Sequence, residues 1–140
     1  MRAARPASGD ALAGVAMTLP ALTRAVKLQA RAARVGFDWP DAGAVLDKIA
    51  EEAGELVEAR DRGDVARISE EYGDLMFVMA NLARHLRIDP EAALRDANAK
   101  FTRRFHYVED RAKADGVAMK DAGLERLDGY WNEIRAKDKV

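Results

Sequence analysis

The stretch LMFVMANLA at residues 75–83 carries no charge on any side. A helix of that composition is apolar all round, and such a helix belongs in an interior. No segment of the chain alternates polar and apolar residues with period two over a strand length. The expected fold class is therefore all-α: four to five helices joined by short loops that favour antiparallel neighbours, with residues 75–83 at the centre. At 140 residues the chain is long enough for one domain with one core.

The neighbouring segments fit that frame. Residues 22–35, LTRAVKLQARAARV, carry an apolar stripe at helical spacing with Lys27, Arg31 and Arg34 outside it, and Gly36 stops the helix. GFDWPDAG (36–43) reads as a loop, with Asp41 or Ala42 ahead of a second helix that runs to about Arg62. Gly63 and Asp64 then serve as C-terminal stop and N-cap. A third helix is expected over 65–87, ended by IDP because the residue before Pro90 is pushed out of helical geometry. Pro90, capped by Asp89, opens a fourth helix that continues to Gly116, and a last helix spans 124–137. Residues 1–18 are expected to form a flexible N-terminal tail, which leaves 19–140 as the domain. Arg2 and Arg5 precede ALAGVAM, but that apolar stretch is short and broken by Gly14, unlike a targeting segment.

Charge and composition exclude several function classes. The 23 Lys and Arg nearly balance 24 Asp and Glu, so no overall field draws the chain to nucleic acid or to an anionic membrane. No apolar run approaches the roughly 20 residues of a membrane-spanning helix. The absence of Cys removes thiolate metal sites and cysteine nucleophiles, and it suits a reducing cytoplasm.

The chemistry-bearing feature is a phrase written twice. EEAGELVEA (51–59) and EEYGDLMFV (70–78) share the pattern acid-acid-x-Gly-acid ahead of an apolar run. On a helical wheel Leu46, Ile49, Ala53, Leu56 and Val57 form one face of the second helix. Glu52 and Glu55 line its rim, Glu58 extends the ridge, and Glu51 lies beyond. On the third helix Glu71 and Asp74 stand at the head of the uncharged run, so Asp74 at least should be drawn inward. Buried carboxylates are costly unless paired or bound to a cation. Gly54 and Gly73 each cost roughly 1 kcal/mol inside a helix, and a missing side chain there could let two backbones approach. If the two helices are antiparallel, Glu52, Glu55, Glu71 and Asp74 converge on one volume. Oxygen-only ligands favour Mg²⁺ or Mn²⁺ over zinc. A di-iron bundle would need Glu-x-x-His pairs, and neither His85 nor His106 has Glu three residues before it. The bland alternative is an ordinary solvated acidic face.

A second group asks for an anion. NAKFTRRF places Lys100 and Arg104 on one helix face with Arg103 beside them, equipment suited to a polyphosphate. Phe101 and Phe105 read as core contacts. Trp131, in GYWNEI, either packs against the bundle or stacks on a nucleobase, and the wheel alone favours packing.

EEAGE followed by EYGD resembles the Glu-Glu-x-x-Glu and Glu-x-x-Asp signature of the all-α nucleoside triphosphate pyrophosphohydrolases. KLQARAARVGFDWPD, DLMFVMANLARHL and ANAKFTRRF are similar to the C-terminal catalytic domain of the MazG family, and the resemblance covers residues 19–137. It implies Mg²⁺-dependent hydrolysis of a nucleoside triphosphate to the monophosphate and pyrophosphate. It implies metal binding by Glu52, Glu55, Glu71 and Asp74, with Glu51 in the same motif and Glu51, Glu52 and Glu55 at the chemistry. It further implies Lys48, Lys100 and Arg104 for phosphates, Trp131 near the nucleoside, and a homodimer whose two chains jointly build the sites. A longer MazG carries a second related domain where this chain has a short Ala-rich stretch. The competing reading is a non-catalytic helical module that binds nucleotides or a partner without turning anything over.

Overall fold

A computed structural model describes residues 9–139, all helix, turn and loop. The chain divides into two compact units, Met1–Glu91 and Ala92–Val140. Of the expected tail, residues 1–8 lie outside the described residues. The rest of that stretch meets the first helix, where the Arg31 guanidinium donates to the Ala13 carbonyl.

The first unit holds α1 (Ala21–Arg34), α2 (Ala42–Arg62) and α3 (Val65–His85). Asp41 caps α2 by accepting from the Ala44 amide at 2.9 Å. Gly63 ends it with φ of 67°, a left-handed conformation that glycine adopts without penalty. Asp64 at once caps α3 through the Arg67 amide at 3.1 Å. This two-residue turn folds α3 back along α2, and α1 lies against α3. Gln29 ties α1 to α3: its Nε2 donates to the carbonyls of Ala25 and Phe77, both at 3.1 Å. In the α1–α2 loop Asp38 is held by Arg84 at 2.5 Å and His85 at 2.9 Å. Burial pushes the Asp38 carboxyl up, but these two hydrogen bonds outweigh it and leave the group below its ordinary range.

Several boundaries follow the sequence, and α3 departs from it. It stops at His85, before the expected end at Arg87. Arg87 takes a left-handed φ of 59°, the Ile88 amide donates to the Ala83 carbonyl at 2.8 Å, and the Arg87 amide to Arg84 at 3.2 Å. This is a Schellman cap built without glycine, which is why no glycine marked it.

The expectation of all-round burial for residues 75–83 is also corrected. Val78, Ala80, Asn81 and Ala83 are buried, whereas Met76, Phe77 and Met79 remain 38%, 43% and 47% exposed. Within the first unit α1 and α2 cover only two sides of α3.

The second unit holds α4 (Pro90–Ala114, of which Pro90 and Glu91 belong to the first unit), α5 (Met119–Ala122) and α6 (Leu124–Asp138). The one-turn α5 is an addition to the expected set, too short to show a period. Val108, Ala112 and Tyr130 form a buried cluster backed by Met119, Leu127 and Trp131. Arg111 joins α4 to α6 through Glu133 at 3.0 Å, and Tyr130 donates to Asp115 at 2.5 Å. Phe101 and Phe105, expected in the core, are 56% and 39% exposed and stack on each other.

Candidate metal centre

The buried stripe of α2 is Val45, Glu52 and Ala59, a seven-residue repeat. Leu46 and Val57, assigned above to the buried face, are instead 53% and 45% exposed. The helix is therefore rotated from the apolar wheel, and Glu52 moves from its rim to the middle of the contact with α3. Glu71 occupies the corresponding place on α3, with Val78 seven residues on. Two carboxylates thus sit where an ordinary hairpin would place leucine.

Both are nearly inaccessible, with side chains 8% and 4% exposed. Each has a cation one helical turn before it: Lys48 Nζ reaches Glu52 Oε1 at 3.2 Å, and Arg67 Nε donates to Glu71 Oε1 at 2.8 Å. Each also keeps a second oxygen, Oε2, buried with no hydrogen-bond partner. Half-buried Glu55 completes the group, so that one oxygen from each of Glu52, Glu55 and Glu71 lies within 4.8 Å of the others. Sharing a hydrogen bond with Glu71 raises the Glu55 carboxyl above its ordinary pKa, and the Glu52 charge adds to the effect.

Three converging acids with two orphaned buried oxygens are under-neutralised by one lysine and one arginine. A hard divalent cation relieves this and suits an all-oxygen donor set. The residues present therefore fit Mg²⁺ or Mn²⁺.

The other expected site residues are placed as follows. Asp74 is exposed and outside the group of three, so its expected inward pull is corrected: it lies on a side of α3 that neither α1 nor α2 covers. Glu51 is 59% exposed and joined to Lys48 at 3.2 Å. Hydrogen bonds to Glu52 first and Glu51 second hold the Lys48 ammonium above its ordinary pKa. Gly54 and Gly73 do not mark a close approach within the chain, because a Cβ on either would meet nothing within 4 Å. Arg67 was missed by the sequence reading, although its spacing of four before Glu71 was there to see.

Lys100, Arg104 and Trp131 all lie in the second unit. Lys100 is exposed. Arg104 donates to Asp138 at 2.8 Å and sits over the Trp131 ring, 5.7 Å from its centre. Trp131 packs beside Phe101 with ring centres 5.6 Å apart, as the wheel favoured.

Residues 42–108 match the family model of the MazG nucleotide pyrophosphohydrolase domain. The chain is 43% identical over 122 residues to the nucleoside triphosphate pyrophosphohydrolase/pyrophosphatase MazG of Thermotoga maritima, covering 87% of this chain and 47% of that one. It is 44% identical over 137 residues to the nucleoside triphosphate pyrophosphohydrolase of Escherichia coli K12, covering 96% of this chain and 52% of that one. The chain thus spans about half the length of these curated relatives. The matched stretch contains both acidic phrases and the helices that bring them together, and over it the chain matches the MazG nucleotide pyrophosphohydrolase domain.

Proposed function

We propose that this chain hydrolyses nucleoside triphosphates to nucleoside monophosphates and pyrophosphate with Mg²⁺, Mn²⁺ being a possible substitute. The observation that carries the reading is the convergence of Glu52, Glu55 and Glu71 with two buried oxygens unpartnered. Those three carboxylates would hold the ion, with Asp74, one turn beyond Glu71, as a further ligand. When bound, the ion supplies positive charge against the phosphates and makes water more acidic. Lys48 and Arg67 fix the first oxygens of Glu52 and Glu71, so the second oxygens are presented without further ordering. Glu51, on the solvent side and outside the converged group, is the carboxylate left to take a proton from the attacking water. Lys48, Lys100 and Arg104 are assigned to phosphates and Trp131 to the nucleoside, as the family resemblance implies.

The same reading includes a homodimer. Met76 and Met79 on α3, with Leu46 and Val57 on α2, leave apolar surface that a second copy would cover. A cytoplasmic role in controlling or cleaning the nucleotide pool is the setting that fits this activity.

The test is to incubate the purified protein with each common ribo- and deoxyribonucleoside triphosphate, with and without Mg²⁺, and to separate the products by chromatography. Monophosphate and pyrophosphate formed only with Mg²⁺ support the proposal. Diphosphate and orthophosphate would reassign the attacked phosphorus, and no product across the panel would leave the non-catalytic module as the better account.

A further inference from the structure

A cavity of about 220 Å³ lies in the first unit between α1, the α1–α2 loop and α3. Its walls are mostly apolar, among them Leu28, Ala32, Phe77 and Trp39, yet two buried amides reach it, Gln29 and Asn81. These are only 8% and 1% exposed. Their orientation follows from their partners. Gln29 donates through Nε2 to two carbonyls, which can only accept, so its amide oxygen is the free end. Asn81 Oδ1 accepts from Arg84 Nε at 3.0 Å, and a guanidinium can only donate, so its amino group is the free end. Among the described residues neither Gln29 Oε1 nor Asn81 Nδ2 has a hydrogen-bond partner. The cavity therefore offers one amide acceptor and one amide donor inside a largely apolar, ring-lined space, which Asp38, paired with Arg84 and His85, also borders.

We infer that this cavity takes a nucleobase, whose flat ring packs against Leu28, Phe77 and Trp39 while its edge donates to Gln29 Oε1 and accepts from Asn81 Nδ2. Each common base carries a donor beside an acceptor on its pairing edge. A purely apolar ligand would leave both amides unpaired, at a desolvation cost of roughly 1–3 kcal/mol each. The volume falls below the roughly 300 Å³ at which pockets enclose drug-sized ligands, so a ring fits and a whole nucleotide does not. Phe77 and Asn81 lie six and ten residues beyond Glu71 on the same helix. At 1.5 Å per residue that is about 9 and 15 Å along the axis, comparable with the separation between the terminal phosphates and the base of an extended nucleoside triphosphate. The inference rests on the nucleotide substrate proposed above and adds what reads its base: Asn81 and Gln29, where Trp131 alone was assigned.

The experiment titrates free adenosine, guanosine, cytidine and uridine, without metal, into the labelled full chain. It follows the Asn81 side-chain amide and the Trp39 and Trp131 indole resonances. At least one nucleoside is expected to shift Asn81 and Trp39 together. Asn81→Asp keeps the oxygen facing Arg84 and replaces the free donor by an acceptor, so it should weaken that binding at least tenfold. Ala32→Phe, which fills the cavity from the α1 side, should abolish it if Asn81→Asp does not fold. Shifts confined to Trp131, no shift with any nucleoside, or unchanged affinity in the variants would overturn the inference. Nucleoside binding here without Mg²⁺-dependent turnover would sink the hydrolysis reading alone, and turnover without such binding would sink this one alone.

Discussion

Arg67 and Glu71 stand one turn apart on α3, and the guanidinium engages one carboxylate oxygen at 2.8 Å while the other stays buried without a partner. Lys48 and Glu52 repeat the arrangement on α2. Each half of the hairpin thus carries a half-neutralised acid into the contact between the helices, where it stabilises the fold less than an apolar residue would.

Glu71→Gln keeps the acceptor for Arg67 and removes one charge from the cluster. The metal-free variant should unfold at a temperature a few degrees higher than the parent, corresponding to about 1 kcal/mol. It should gain no further stability from added Mg²⁺, and its turnover should fall by more than the roughly 10–100-fold that outer-shell changes cost. Thermal scans with and without Mg²⁺, beside a pyrophosphate assay, read all three.

Arg67→Met leaves every carboxylate in place and frees Glu71 to reorient. Metal affinity should drop by about tenfold, within the range for outer-shell partners, whereas Arg60→Met, whose side chain is 69% exposed and pairs with Asp61, should change nothing. Titration calorimetry with Mn²⁺ compares the two.

Asp138 receives hydrogen bonds from Arg103 first and Arg104 second, and they lower its carboxyl to about 2. A carboxyl depressed in the folded state binds fewer protons than in the unfolded chain between its ordinary value near 3.8 and about 2. Its stabilisation is therefore complete above pH 4 or so and is lost as the pH falls through that window. Urea unfolding from pH 5 down to pH 2 should show a steeper decline for the parent than for Asp138→Asn. Parallel curves would mean that the contact contributes no linkage.

Met79→Glu places a charge in the exposed apolar side of α3, where the side chain is now 47% exposed. If a second copy covers that side, sedimentation should shift from dimer towards monomer while helix content is kept. An unchanged sedimentation profile would place the contact elsewhere.

The five longer helices and most of their ends were legible because their signals are local: Asp41, Gly63, Asp64 and Pro90 each act within one turn, whereas the one-turn α5 was not. The end of α3 was not, because Arg87 took a conformation that sequence assigns to glycine. The rotation of α2 was not legible either. A wheel ranks positions by side-chain polarity, whereas Glu52 is buried by the path of the hairpin, against its own desolvation cost. The same limit applies to Asp74: its place beside an apolar run suggested burial, but how much of α3 is covered depends on which helices reach it. The duplicated acidic phrase pointed to the three carboxylates that converge, Glu52, Glu55 and Glu71, because their spacing is local to each helix. Gln29 and Asn81 carried no signal, since an amide in an apolar stripe becomes notable only when its partners are known.

The most direct measurement is Mn²⁺ binding followed by electron paramagnetic resonance for the parent chain and for Glu71→Gln. The account predicts saturable binding to the parent that competes with Mg²⁺ and is lost in the variant. Equal binding by both proteins, or none by the parent, would contradict the claim that Glu52, Glu55 and Glu71 form a metal centre.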